Sequence, residues 1–144
     1  MTRYPDWQAR LEKYLASARG RKFKYGEFDC CLFVAGAIQA MTGTDLARDV
    51  RGLYGSAKQA RSFCAIGGYS IGEFVVRLLR CRGLLEVPLG KAFRGDVVVF
   101  GKRPSRARAG LVSLDGNTIL VATSTGIARI GRSQLGSSVK AFRV

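Results

Sequence analysis

KYGEFDCCLFVAGAIQAM, residues 24–41, decides how the rest of the chain is read. From Leu32 to Met41 almost every position is apolar, and Leu32, Phe33, Val34, Ala35, Ala37, Ile38 and Ala40 cover all faces of a helix rather than one stripe. A helix with so few polar positions is predicted to lie buried on most sides, at the centre of the fold. Asp29 is a residue type that caps helix starts, because its carboxylate accepts hydrogen bonds from the first unpaired N–H groups. Gly43 is suited to end the helix. The adjacent thiols of Cys30 and Cys31 fall in its first turn. Cys30 is therefore either a nucleophile activated by the helix terminus or a small apolar residue opening a buried segment.

Elements are needed on either side of such a helix. Upstream, Trp7, Leu11, Tyr14, Leu15 and Ala18 make one apolar stripe, so a helix is predicted from about Asp6 to Ala18, with Gly20 ending it. Downstream, RGLYG at 51–55 reads as a loop, and a short helix is expected from about Ala57 to Ala65. SIGE at 70–73 has the form of a capping box, followed by Ile71, Phe74, Val75, Leu78 and Leu79 as the inward face of a fourth helix. From Gly95 the periodicity changes. DVVVF, GLVSL, TILVAT and GIARI are short β-branched runs separated by turn residues, and the final KAFRV is placed to close the sheet. Helices first and strands second predict an α+β domain over residues 1–144. Its helical part covers about 5–82, and its small C-terminal antiparallel sheet or half-barrel about 95–144.

A length of 144 residues with 47% hydrophobic content suits one domain with a full core. No run approaches the roughly 18 apolar residues that span a bilayer, and the first twenty residues carry charges where a signal peptide is apolar. A protein kept in the cytoplasm, or built there into a larger particle, is expected, without membrane insertion. Lys and Arg number 24 against 10 Asp and Glu, a formal charge of +14. That excess raises a nonspecific nucleic-acid reading, but no recognition helix, zinc finger or aromatic-basic RNA motif accompanies it. The basic residues are spread along the chain, with one local cluster of Lys102, Arg103, Arg106 and Arg108 in a loop broken by Pro104. An acidic protein partner explains the charge equally well.

The cysteines Cys30, Cys31, Cys64 and Cys81 show no C-x-x-C spacing, and the chain has no histidine, so neither a metal site nor any other cofactor is expected. Reduced thiols fit a chain without an export signal.

The order of these motifs resembles a known group. An aromatic-glycine pair shortly before Asp-Cys at the start of a buried helix, then Gly-Asp leading the first strand of a small antiparallel sheet, is similar to the NlpC-type cell-wall peptidases, which are papain-related. More closely, FKYGEFDCCLFVAGAIQAMTGTD, RGLYG, GDVVVF and AFRV together resemble an uncharacterised family encoded among phage tail genes, itself similar to NlpC-type domains. The resemblance implies an NlpC-like fold with Cys30 in the nucleophile's position. A thiol in the first turn of a helix feels the positive end of its dipole, which favours thiolate.

The rest of the catalytic set departs from that pattern. The family's histidine falls in a strand before an Asp-Gly turn, and RAGLVSLDG puts Arg108 in its slot. Arginine stays protonated and is no base. The residue that would orient an imidazole falls near Val121 or Ala122, and the tyrosine upstream of the aromatic-glycine pair is replaced by Phe23. The implied function is a phage tail-tip or tail-assembly structural protein, a pseudoenzyme that docks other tail-tip or hub proteins through Lys102, Arg103, Arg106 and Arg108. It would reside in the virion tail after assembly in the host cytoplasm. The alternative is a cysteine peptidase or amidase that cuts peptidoglycan peptides at the bacterial cell envelope during phage entry. The nucleic-acid reading ranks behind both.

Overall fold

The computed structural model describes residues 1–136 and 138–144. Four helices come first: α1 (Trp7–Ala18), α2 (Cys30–Thr42), α3 (Ala57–Ile66) and α4 (Ile71–Cys81). Six strands follow: β1 (Leu85–Val87), β2 (Val97–Gly101), β3 (Arg108–Val112), β4 (Thr118–Thr123), β5 (Gly126–Gly131) and β6 (Ser138–Arg143). They form one antiparallel sheet in the order β1-β6-β2-β3-β4-β5. The protein is an α+β fold, as the change of periodicity near Gly95 predicts.

Helix α2 occupies the centre because its side chains have no polar face to offer solvent. Phe33, Ala37, Ile38 and Met41 are fully buried. They pack against α1 on one side and, on the other, against Val97, Val99, Ala109, Leu111 and Leu120 of the sheet. The alternation along β2 and β3 gives the sheet two apolar faces. Val97 and Val99 meet the helices, while Val98, Phe100 and Val112 join Ile119, Val121, Ala141 and Leu135 in a second, smaller core on the far side. Truncating a fully enclosed residue such as Phe33 to alanine is expected to cost about 3–5 kcal/mol.

Several boundaries differ from those predicted. The sheet begins at β1 rather than near residue 95. Three residues with Glu86 at the centre give no β signature of their own, and they form a strand because β6 returns to pair with them, Leu85 opposite Arg143 and Val87 opposite Ala141. The third strand starts at Arg108 and ends at Val112, so Ser113 and Leu114 belong to the turn, where Ser113 Oγ donates to the Asp115 carboxylate at 2.5 Å. Helix α1 stops at Ala18 with Arg19, still in the right-handed region, as its cap rather than through Gly20. Helix α4 has the predicted capping box, but Val76 and Leu79 are its buried apolar residues, while Ile71, Phe74, Val75 and Leu78 are only half-buried.

The ends of the chain meet at one buried carboxylate. Asp96, fully enclosed just before β2, accepts from Arg3 Nη2 at 2.8 Å, Arg143 Nε at 2.8 Å, and the backbone N–H groups of Phe93 at 2.8 Å and Val144 at 3.3 Å. Arg3 also stacks on Trp7, and Tyr4 N–H donates to the Met41 carbonyl in the last turn of α2. A carboxylate in such surroundings requires this set of partners, since burying it unpaired would cost several kcal/mol.

Candidate functional site

The site is built at the other end of α2. Asp29 is the N-cap, in extended conformation, and its Oδ1 accepts from the N–H groups of Cys31 and Leu32, each at 3.0 Å. Its Oδ2 accepts from Gly26 N–H at 3.0 Å and from the Tyr54 hydroxyl at 2.8 Å. The buried carboxylate is thus held by neutral donors together with the positive end of the helix dipole.

Gly26 is required here. Its φ is +77°, and an added Cβ would lie 1.9 Å from the Tyr54 carbonyl oxygen. The Gly52 N–H donates to the Gly26 carbonyl at 3.2 Å. RGLYG at 51–55 is therefore a clamp that closes on the turn before α2, and burial raises the Tyr54 hydroxyl far above its usual pKa, so it remains a donor.

Cys30 is the first residue of α2 and is half-buried; its Sγ lies 4.0 Å from that of Cys31. The Cys30 thiol is held below the ordinary cysteine value, foremost by the hydrogen bond from Cys31. The Ala109 backbone N–H and the Arg108 charge act in the same direction, against burial and the Asp29 charge. Cys31 is pushed well up, by that same hydrogen bond first and then by burial. Cys30 is thus the thiolate-forming member of the pair.

Strand β3 passes over this thiol. Arg108, at the strand start, is exposed, and Ala109, like Leu111, turns its side chain into the helix-facing core. On β4, Val121 belongs to the far core, whereas Ala122 lies on the helix side with Thr123 and Ser124 beside it at the cavity wall. Phe23 packs edge-to-face on Tyr25, and both border the cavity. The side chains around Cys30 thus bring together a thiol, a saturated carboxylate, a phenol and a guanidinium. None of them is an imidazole, the usual base partner of a catalytic thiol.

Below the thiol is a cavity of about 630 Å³ between α2 and the α3–α4 pair. The half-buried face of α4, Ile71, Phe74, Val75 and Leu78, lines it, which explains why these residues point inward without being enclosed. Cys64, whose thiol burial pushes up, lies on its α3 wall. Among the described residues no group of three or more Cys, Asp or Glu side chains is arranged to hold a metal ion.

The cationic cluster runs from the β2–β3 connection, with its short 3-10 turn at Pro104–Arg106, to Arg108, which is already the first residue of β3 rather than part of the loop. This turn rests on the start of α4, where an added Cβ at Gly72 would come within 2.7 Å of Ala107 Cβ. Lys102 and Arg103 project from it as exposed residues, while Arg106 and Arg108, also exposed, border the cavity. Sequence reasoning assigned no role to Tyr54 or to Arg61, which reaches the cavity from α3. The tyrosine of RGLYG was visible as a motif, but its partner lies 25 residues away.

Among the described residues no single helix is long and apolar enough to cross a membrane. Residues 2–144 match the family described as "Domain of unknown function (DUF6950)". No curated protein matches the chain.

Proposed function

The chain belongs to the DUF6950 family, and from that footing we propose that it is a non-hydrolytic, NlpC-like docking protein of a phage tail, attached to neighbouring tail-tip or hub proteins by its basic surface. The observation that carries this reading is the Cys30 site. A thiol with lowered pKa opens the central helix, yet the chain has no histidine; the resemblance puts Arg108 in the imidazole's slot and the orienting residue near Val121 or Ala122. A cysteine hydrolase needs a base that later protonates the leaving amine, and none of these residues performs that task.

The docking half of the proposal is supported by charge. Asp6, Glu27, Asp45, Asp49, Glu86, Asp96 and Asp115 are all in ion pairs with Lys or Arg, so most of the excess cation remains for an external partner. The test combines two measurements. Purified protein incubated with peptidoglycan stem peptides should release no new amines, and mass spectrometry of purified virions should find the protein at a fixed low copy number. Substituting Lys102, Arg103, Arg106 and Arg108 by Glu should deplete it from particles. Hydrolysis abolished by Cys30→Ala would instead establish the peptidase reading, with a base supplied by a neighbouring subunit. Absence from virions together with tight DNA binding near physiological salt would overturn the tail assignment in favour of nucleic-acid binding.

A further inference from the structure

We infer that the cavity beside Cys30 is a binding site for an anionic amphiphile, an alkyl chain that ends in a carboxylate or phosphate. Its body is hydrocarbon: Ile38 from α2, Leu46 and Val50 from the following loop, Phe63 from α3, and Phe74 and Leu78 from α4. Its volume of about 630 Å³ falls within the ~300–1,000 Å³ typical of small-molecule sites. Apolar side chains outnumber polar ones such as Tyr25, Tyr54, Thr123 and Ser124 in its wall, so an occupant with an apolar body gains dispersion contacts that water does not supply.

The mouth is cationic. Arg61 of α3, Arg106 of the β2–β3 connection and Arg108 at the start of β3 are exposed residues of the lining, and none of the three belongs to an ion pair among the described residues. Asp29, the one carboxylate among the described residues of the wall, already accepts from four donors. Its oxygens are occupied by neutral donors, and its single negative charge is outnumbered by the three guanidiniums. An apolar body with three uncompensated guanidiniums at its opening is complementary to a tail with an oxyanion head.

The same chemistry disfavours a peptide in the interior. The deep walls are side chains of α2, α3 and α4, whose backbone groups are paired within their helices, so a peptide's N–H and C=O groups would enter unpartnered at a cost of several kcal/mol. The inference is independent of the tail assignment, because it concerns the isolated protein.

The probes are dodecanoate and dodecyl phosphate below their micelle concentrations, with dodecanol as the uncharged control and acetate as the chainless one. Calorimetry on the full chain should show saturable one-to-one binding of at least one anion and none of acetate. The stronger anion identifies the head group. Combined Arg61→Ala, Arg106→Ala and Arg108→Ala should weaken the anion at least tenfold and dodecanol less than twofold. Val75→Phe, at a half-buried position on the cavity wall, should weaken both chains, and Ala60→Leu provides a second filling variant should the first not fold. Equal affinity for anion and alcohol, indifference to the arginine variant, or no saturable binding would overturn the assignment. Tighter binding of an acidic, apolar peptide than of either anion would overturn it in favour of a protein occupant.

Discussion

Asp29 and Asp96 are both buried carboxylates, set near opposite ends of the same helix, and the chain solves their burial in two ways. Asp96 receives two guanidiniums from the terminal segments of the chain, so its charge is neutralised and three distant regions are pinned together. Asp29 receives N–H and O–H donors together with a helix dipole and consumes no cation. The first arrangement makes a closed structural joint. The second holds a helix start rigidly while leaving the thiol beside it facing a cavity and the nearby arginines unpaired, which is what a binding end requires.

The comparison is most exposed to Asp96→Ala. Removing the acceptor leaves Arg3 half-enclosed without its partner, and a loss of about 3–5 kcal/mol in urea unfolding is expected. A loss below about 1 kcal/mol would make the joint incidental and remove the contrast. Asp29→Ala should cost less, about 2 kcal/mol, from the lost cap and the stranded Tyr54 hydroxyl. Asp29→Ser, which keeps a cap acceptor, should recover about half of that loss. Equal losses for Asp29→Ala and Asp96→Ala would show that neutral donors and ion pairs do the same work here.

Tyr54→Phe removes one donor from the neutral end, and a decrease of about 1 kcal/mol is expected. It should also lower protection of the 24–28 turn in hydrogen exchange, since the RGLYG clamp then closes through the Gly52 bond alone. Unchanged protection would assign the clamp to backbone packing.

Thiol chemistry tests the open end directly. Because the Cys30 pKa is lowered, its thiolate persists at pH values where an ordinary cysteine is already protonated, and its alkylation by iodoacetamide declines only as pH falls through that lowered value. Cys31 is shifted the other way and should react only at higher pH. The two rates, resolved by peptide mass spectrometry between pH 6 and 10, should separate in that order. Equal, negligible labelling of both would mean a closed cavity.

The smallest effect belongs to the exposed cations. Reversing Lys102, Arg103, Arg106 and Arg108 to Glu should change unfolding stability by no more than about 1 kcal/mol, because exposed charges contribute little to folding even where they govern association. A larger loss would mean that the cluster, like Asp96, belongs to the fold.

Local pattern was sufficient wherever a segment's neighbours were its own residues. The apolar run from Leu32 to Met41 fixed a central helix, Asp29 and Ser70 carried the chemistry of their caps, and the β-branched runs after Gly95 required an antiparallel sheet. Other features depended on partners far along the chain. Three residues around Glu86 become a strand only because β6 comes back beside them. Asp96 reads locally as a turn residue, and becomes a joint only when residues 93 positions before it and 47 after it arrive. The face of α4 was legible as inward, but whether an inward face meets side chains or a void depends on how two helices settle against a third. Sequence by itself therefore determined the elements, the cap and the thiol at the head of the central helix, because propensity and periodicity act over a few residues. Only the tertiary structure decided the joint, the clamp and the cavity, because charge pairing and packing act between residues that the chain must first bring together.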